Sequence, residues 1–402
     1  MKAVGTWLNA ARNDQVTRFG VDPAYGSNLD LRLTLGGPLG FTANTDNESA
    51  WRWELAGELT TLQGDTLENS GLFGGASSGE GINVVSDALR AVNLTTQISS
   101  GSRHAVAARL DRAQLVWQKQ RWRARLGRQA LSLGSGLVFN PMDIFNPFSP
   151  TATDRDFKPG SDALLLTRSG NNGSEFEAFA VFRRERGEQN PHADQGSYAL
   201  RYRSTVKSLE YEVIGARHFD ANVAMASLSG PLGGAVWRLN WVGSHEQGET
   251  THSIVVNLDY GFGFRDQLGY GFVEYYHNGY GNRRAAENLS NLSLDAIARL
   301  GRGELFVTER NYLSAGTRLG LSPLLNFTTT AIVNLDDFAP LVQSAFTYTA
   351  GNNVTIETGA IVPTGGSGDE FGGAVLSPQQ PFADELLTGT SRQYYLRLVW
   401  FL

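Results

Sequence analysis

The stretch Asn28-Leu-Asp-Leu-Arg-Leu-Thr-Leu35 alternates a leucine with a polar residue at every step. A period of two places the leucines on one face of a β-strand and the polar side chains on the other. The same alternation returns in other parts of the chain, namely in Trp51–Thr61, Trp237–Gly243, His252–Tyr260 and Leu325–Val333. The sequence therefore predicts an all-β protein whose strands each have one apolar and one polar face.

Extending this pattern along the chain predicts about 18 strands, most of them roughly 9–13 residues long, which is the length of tilted membrane-spanning strands rather than of globular ones. The predicted spans are 2–10, 28–36, 51–62, 104–118, 121–133, 161–169, 174–186, 196–204, 208–218, 222–230, 235–246, 251–260, 267–278, 305–321, 325–335, 341–350, 354–363 and 391–402. We expect one domain over 1–402, a transmembrane antiparallel up-and-down β-barrel with an inward-folded third loop.

Short and long connections alternate between these strands. The short turns are rich in Gly, Pro, Asn or Ser and are Lys119–Gln120, Gly170–Gly173, Thr205–Lys207, Gly230–Gly233, Gly261–Asp266, Ser322–Leu324 and Gly351–Asn353. The long connections are Ala11–Ser27, Gln63–Ser102, Gly134–Gly160, Arg186–Gln195, Asn278–Gly303 and Pro363–Thr390. This layout is typical of outer-membrane barrels, in which short turns face the periplasm. An even strand count then places both termini in the periplasm.

Composition agrees with a barrel and excludes other classes. The chain has 402 residues, 46 glycines, no cysteine, 18% charged residues and a formal net charge of −6. The absence of cysteine excludes disulfides and thiolate sites, and the low net charge gives no basic field for nucleic acid. No uninterrupted apolar run reaches the ~18 residues that a membrane-spanning helix needs.

The segment from Gly127 to Pro150, GRQALSLGSGLVFNPMDIFNPFSP, stands out because it is apolar and contains three prolines. Proline cannot donate to a β-ladder, so the segment must leave the wall, and an apolar loop needs a surface to pack on. We expect the loop Gly134–Gly160 to fold into the barrel, where it acts as a constriction or only as a latch. The expected latch residues are Asn140, Pro141, Phe145, Asn146, Pro147 and Phe148.

Charged residues in and before this loop predict its role. On the strand that begins at Arg121, an apolar set that includes Trp122 must face lipid, so Arg121, Arg123 and Arg125 face the lumen. Arg112 shares the inner face, and Arg128 joins it if Gly127 marks a bulge. The loop supplies Asp143, Asp154, Asp156 and Lys158. Two interpretations stay open: a transverse field across a pore, or ion pairs that fix the loop to the wall.

One stretch has helical rather than strand periodicity. In Arg283–Leu300, apolar residues at 289, 292, 296, 297 and 300 follow helical spacing, and Gly301 is expected to end the helix. It lies in a long connection, where it would act as a lid or, alternatively, bind a partner. Signals for an enzyme are weak, because the six histidines lack metal-ligand spacing and the Gly-x-Ser-x-Gly motif is absent. We expect no catalytic site, no metal and no cofactor.

Two features resemble known families. The last strand, with Tyr394, Leu396, Leu398 and Trp400 alternating with other residues, resembles the insertion signal of Gram-negative outer-membrane proteins, although it ends on Leu402 rather than Phe. The placement of the apolar loop is similar to that of the constricting third loop of general bacterial porins. Its Gly127-Arg-Gln and Asn140-Pro-Met-Asp143 elements resemble uncharacterised outer-membrane barrel families.

These resemblances imply a porin-like channel in the bacterial outer membrane for passive or gated diffusion of small hydrophilic solutes. The implied partners are outer-membrane lipid and lipopolysaccharide, the solutes themselves, and either further copies of the chain or a periplasmic protein. The alternative is a non-conducting barrel that serves as a scaffold or as the outer-membrane component of an export or electron-transfer assembly.

Overall fold

A computed structural model of the chain describes residues 2–10, 24–39, 49–64, 87–246, 248–283, 292–366, 369–372 and 392–401. Nearly all regular structure in these residues is β. The strands are β1 Lys2–Ala10, β2 Ala24–Leu39, β3 Ala50–Gly64, β4 Thr95–Ser100, β5 His104–Lys119, β6 Trp122–Gln129, β7 Ser161–Ser169, β8 Glu175–Val181, β9 Ser197–Val206, β10 Leu209–His218, β11 Ala221–Leu232, β12 Ala235–Glu246, β13 Glu249–Phe264, β14 Gln267–His277, β15 Asn311–Ser322, β16 Leu325–Asn334, β17 Pro340–Thr349, β18 Val354–Pro363 and β19 Gln393–Phe401.

Eighteen of these strands close into a ring of antiparallel neighbours. Each ring strand pairs with the next one along the chain, β3 pairs directly with β5, and β1 closes the ring by pairing with β19. Closure matters because a bilayer offers no water to satisfy the hydrogen-bonding groups of an open sheet edge. The extra strand, β4, pairs with the first half of β5 on the side opposite to β3. The predicted fold, a barrel of about 18 up-and-down strands, is confirmed.

The alternation of side chains sets which face of each strand points outward. In β2, Leu29, Leu33 and Leu35 are 46–51% exposed, whereas Arg32 between them is 6% exposed. In β19 the even-numbered residues from Tyr394 to Trp400 are exposed, and the odd-numbered ones are buried inside the ring. The outer surface is therefore apolar and the inner surface polar, which suits a barrel with lipid outside. Among the described residues, no helix is long and apolar enough to span a membrane.

Three predicted strands were too long. The strand predicted over 121–133 ends at Gln129, because Gly127 has a φ of +117° and the chain then turns inward, burying Leu131 and Leu133. The strand predicted over 174–186 ends at Val181. The strand predicted over 305–321 begins only at Asn311, since the residues before it pack beneath the outer connections.

The short strand β4 was not predicted. Its sequence, TTQISS, contains a single apolar residue, so no period of two is visible. It lies beyond the end of β6, beside the part of β5 that β6 does not reach. The residues before it also approach β8, where Arg90 forms a bridge with Arg183. Residues 87–100 therefore extend the wall where β6 is short.

The predicted helix over 283–300 is displaced. Helix α1 spans Leu294–Arg302, and residues 284–291 lie outside the described residues. The Oγ of Ser293 accepts a hydrogen bond from the backbone N–H of Ala296, which caps the helix at its start. Gly301 does not end the helix as predicted; Gly303 does, with a φ of 69° that only glycine adopts without strain.

Candidate functional site

The connection from β6 to β7 crosses the inside of the barrel. On the opposite wall, the carboxylate of Glu274 in β14 accepts hydrogen bonds from three consecutive backbone N–H groups, those of Leu137, Val138 and Phe139, at 2.6–3.0 Å. A carboxylate that accepts several N–H bonds is held more strongly than a neutral acceptor. Asn257 of β13 donates to the same carboxylate at 3.1 Å. This contact fixes the loop to the far side of the lumen.

Aromatic stacking reinforces the same contact. The ring of Phe139 lies 4.7 Å from the ring of Tyr276 and 5.3 Å from that of Tyr312. Val138 and Phe139 belong to a buried apolar cluster with residues of β13 to β18, including Ile332 and Leu341. The loop therefore meets the far wall through both a carboxylate and a dry apolar contact.

The near side of the loop packs on β7 to β12. Phe145 is fully buried and meets Phe179 edge to face at a centroid distance of 5.5 Å. It belongs to a second apolar cluster that also includes Leu131 and Met142. Asn140 donates to the carbonyl oxygen of Leu133.

The remaining latch residues have smaller contributions. Asn146 donates to the Oγ of Ser161 at 2.9 Å, at the start of β7. Pro141, Pro147 and Phe148 are half-buried. The structure thus places Asn140, Phe145 and Asn146 in contacts that hold the loop, with the other three beside them.

The loop carboxylates do not meet the predicted arginines, which is a correction. Asp143 pairs with Lys158 of the same loop at 2.5 Å, and burial raises the pKa of Asp143 to about 6. Asp154 and Asp156 both pair with Arg397 of β19 at 2.8 Å. An arginine–carboxylate contact between wall and loop exists, but the wall residue is one that the sequence did not identify.

Two predicted arginines hold other groups. Arg112 donates to the backbone carbonyl of Lys158 at 2.6 Å and pairs with Asp111, so it touches the loop backbone rather than a loop carboxylate. Arg128 is enclosed and pairs with Asp87 and Asp162 at 2.8–2.9 Å. It also donates to the carbonyl of Val92. Arg128 therefore secures residues 87–94 and is not channel-lining as predicted.

The other three arginines differ among themselves. Arg121 lies in the turn before β6 and not on a strand, contrary to the prediction. Arg123 and Arg125 have the inward parity, opposite to the exposed Trp122 and Leu126. Arg125 interacts electrostatically with wall carboxylates Glu177 and Glu54 rather than with the loop.

The wall on this side carries its own charge pairs. Arg201 of β9 pairs with both Glu177 and Glu212, and Arg203 pairs with Glu175. These pairs run across β8, β9 and β10. The inner surface is therefore charged on this side independently of the loop, and the predicted field between wall arginines and loop carboxylates is not formed by these residues.

A cavity of about 300 Å³ separates the loop from the wall formed by β14 to β19. The loop contributes Leu137, Val138 and residues 150–155, among them Arg155. The wall contributes small and polar side chains, namely Phe272, Thr328, Thr330, Gln343, Ala345, Thr347, Glu357 and Tyr395. We call this space the aperture.

The aperture carries one charge on each side. Arg155 is exposed and donates to the carbonyl of Pro150 at 2.6 Å. Glu357 of β18 accepts from the hydroxyl of Tyr395 at 3.1 Å and from Thr347 at 3.4 Å. The loop thus presents a cation and the wall a carboxylate, the reverse of the predicted arrangement. Strand parity indicates that Glu357 faces inward, but it does not indicate that the loop ends opposite it.

A hydrogen-bonded chain of Ser197, His218 and Glu304 lies beneath α1 and was not predicted. The Oγ of Ser197 is 2.8 Å from Nδ1 of His218, whose Nε2 is 3.0 Å from a carboxylate oxygen of Glu304. Burial alone raises the pKa of Glu304, but His218 and Arg302 lower it well below its usual range. Ser197 and His218 are fully buried and Arg183 also donates to the serine. The chain joins α1 to the wall and offers no accessible nucleophile.

One group in the described part of the chain has atoms close enough to share a metal ion. Potential ligand atoms of Glu185, His192 and Asp194 lie within 4.8 Å of one another. All three belong to the β8–β9 connection, and the two carboxylates are exposed. Geometry alone permits a cation there, although exposed groups of this kind are common without one.

Comparisons with solved structures agree with the fold. A BenF-like porin from Pseudomonas fluorescens Pf-5 is 11% identical with a TM-score of 0.54, covering 100% of this chain and 97% of that one. OccAB1 from Acinetobacter baumannii is 12% identical with a TM-score of 0.53, covering 99% and 95%. Wzi, a carbohydrate-binding outer-membrane barrel involved in capsule assembly in Escherichia coli, is 9% identical with a TM-score of 0.52, covering 99% and 83%.

No family model and no curated protein matches the sequence. At such low identity the structural comparisons concern the fold alone. The chain has the porin-like fold of outer-membrane β-barrels.

Proposed function

We propose that the protein is a channel of the bacterial outer membrane through which small hydrophilic solutes diffuse, and that the loop Gly134–Gly160 sets its bore. The aperture carries this proposal, because it is a polar space between the loop and the wall at the level where the loop fills the rest of the lumen. Channels of this size class enclose an aqueous lumen, and groups that line the narrowest part select the solute.

The lining of the aperture supports hydrophilic solutes. Thr328, Thr330 and Gln343 provide hydroxyl and amide groups, and Arg155 and Glu357 provide opposite charges. Such groups replace part of the hydration shell of a solute that passes between them. An apolar solute gains nothing from this lining.

We further propose that the long connections face the cell exterior, with both termini in the periplasm. The apolar outer surface then contacts outer-membrane lipid and lipopolysaccharide. The aromatic residues Trp122, Tyr260 and Trp400 are exposed near the short-turn end, as is typical of an interfacial girdle. Further copies of the chain or a periplasmic protein remain proposed partners.

The test is the conductance of the purified protein in planar bilayers. We expect discrete current steps from the wild-type protein, and larger steps from a variant whose loop is shortened between Gly134 and Gly160. Circular dichroism verifies that the shortened variant keeps its β-structure. The proposal fails if neither folded protein conducts.

The second candidate is a non-conducting scaffold for an export or electron-transfer assembly. It is favoured by the two apolar clusters, which join the loop to inner residues of β7–β12 and of β13–β18. Such packing gives a stable plug. A stoichiometric partner that co-purifies with a barrel lacking current supports the scaffold, whereas current from the protein alone supports the channel.

A further inference from the structure

A groove of about 650 Å³ crosses the outer surface of β2, β3 and β5 and ends at residues 93–96. Strand parity identifies its outward-facing lining, because Arg32, Glu58 and Arg109 between these residues point to the lumen. The outward residues are Leu31, Leu33, Gly57, Leu59, Leu94, Thr96, Ala108 and Leu110. Leu33 at its rim is 49% exposed, and Leu31 and Leu59 are only half-buried. The groove is thus a leucine-lined recess in the apolar surface of the barrel.

Two local features create the recess. Gly57 has no side chain, so the wall is low at this point, and an added Cβ would meet only the Cδ2 of Leu110 at 3.8 Å. A bulge in β5 lies beside it, since Ala56 is opposite Arg112 and Gly57 is opposite Leu110. The bulge turns both Asp111 and Arg112 inward, where Asp111 pairs with Arg32 at 2.9 Å. The same bulge therefore anchors the loop inside and shapes the groove outside.

We propose that this groove binds one fatty acyl chain of a lipopolysaccharide molecule. The groove is continuous with the lipid-facing surface, so hydrocarbon is what it meets. Its volume falls in the range of about 300–1,000 Å³ that is typical of specific small-molecule sites. Its upper end lies at residues 93–96, on the side of the long connections. By the proposed orientation this is the outer leaflet, where lipopolysaccharide resides.

The site does not depend on conduction, because it uses only the outer face. A channel and a scaffold would both carry it. The proposal predicts one tightly held lipid per barrel, in addition to the mobile lipids that surround every membrane protein.

Native mass spectrometry of the detergent-solubilised protein with added lipid A tests the proposal. Wild-type protein is expected to retain one lipid A molecule, and Gly57→Phe, which fills the groove, is expected to reduce the retained fraction at least about tenfold. The matched control is Gly215→Phe in β10, an outward glycine with open space around it. It is expected to retain lipid A like the wild type.

Several results would overturn the proposal. Equal retention of lipid A by wild type and Gly57→Phe places the lipid elsewhere. Preferential retention of phosphatidylethanolamine identifies a phospholipid site, and a dimer or trimer that Gly57→Phe dissociates identifies a subunit interface. Circular dichroism and thermal unfolding of both variants establish that they fold, so loss of lipid reports on the groove itself.

Discussion

The carboxylate of Glu274 accepts a hydrogen bond from the backbone N–H of Phe139 at 2.8 Å, across the full width of the lumen from the strands that carry the loop. The two preceding N–H groups donate to the same carboxylate. One side chain therefore satisfies three buried donors that no regular structure provides for. The position of the loop depends on this residue more than on any of the predicted arginines.

Replacement of Glu274 by alanine should release the loop from the far wall. Each buried N–H left without an acceptor costs about 1–3 kcal/mol, so the attached conformation loses most of its advantage. We expect faster hydrogen exchange at residues 137–139 and larger, noisier currents. Asp259→Asn is the matched control, because Asp259 pairs with Arg238 on the same wall and has no contact with the loop among its recorded bonds. Unchanged exchange in Glu274→Ala would show that the stacking of Phe139 suffices.

Arg397→Gln should make the lumen more selective for cations. The substitution removes the guanidinium that neutralises Asp154 and Asp156, and leaves two carboxylates inside the barrel. Fixed negative charge favours cations in a narrow pore. The reversal potential in a KCl gradient measures the change, and Arg168→Gln, which removes an arginine placed over Trp122, is the control. A shift toward anions, or an equal shift in both variants, contradicts this assignment.

Arg128→Met should strongly destabilise the barrel. It leaves Asp87 and Asp162 buried without their common partner, and breaking a buried ion pair in this way costs about 3–5 kcal/mol. The midpoint of unfolding in guanidinium chloride should fall accordingly. Arg121→Met, in an exposed turn, should change the free energy of unfolding by no more than about 0.5 kcal/mol. Equal midpoints for the two variants would mean that the buried pair contributes nothing.

Glu370 should make the outer connections sensitive to pH. Its carboxyl is buried with Tyr312 and Thr308 as donors, and burial raises its pKa from 4.5 to about 7. Glu309 and Asp337 are the charged neighbours. Since the folded-state pKa is raised, the stabilisation is complete below the unfolded pKa and is lost as the pH rises through about 7.

Hydrogen exchange of residues 364–366 and 369–372 between about pH 5 and about pH 8 tests this dependence. Glu370→Gln mimics the protonated acid, so at each pH it should exchange like wild-type protein at low pH after correction for intrinsic rates. Glu249→Gln, at an exposed position, should behave like the wild type. A pH response that persists in Glu370→Gln would assign it to another group.

The fold could be predicted from the sequence because alternation is a local property. β7, β12 and β18 begin and end at the predicted residues, since each has one apolar and one polar face bounded by turns. β4 lacks the pattern, and the end of β6 depends on Gly127, whose added Cβ would lie 2.1 Å from the carbonyl of Ala113. That contact exists only after the strands have paired.

The charge partners could not be predicted because they are set by the closed barrel. Asp156 and Arg397 are 241 positions apart and meet because the last strand lies near the inward loop. Parity gives the face on which an arginine points, but it does not give the height at which a carboxylate approaches it. Arg112 was thus placed correctly on the inner face, whereas its partner, the backbone of Lys158, had no signal in the sequence.

The most direct test of the account is chemical modification of the aperture during current recording. The chain contains no cysteine, so Thr328→Cys introduces a single reactive thiol that lines the aperture. Thr329→Cys places the thiol on the neighbouring residue, which faces away from the lumen. The account predicts that a charged methanethiosulfonate reagent reduces the current of Thr328→Cys and leaves that of Thr329→Cys unchanged. A current that the reagent does not alter in Thr328→Cys would contradict it, because solutes would then pass by another route.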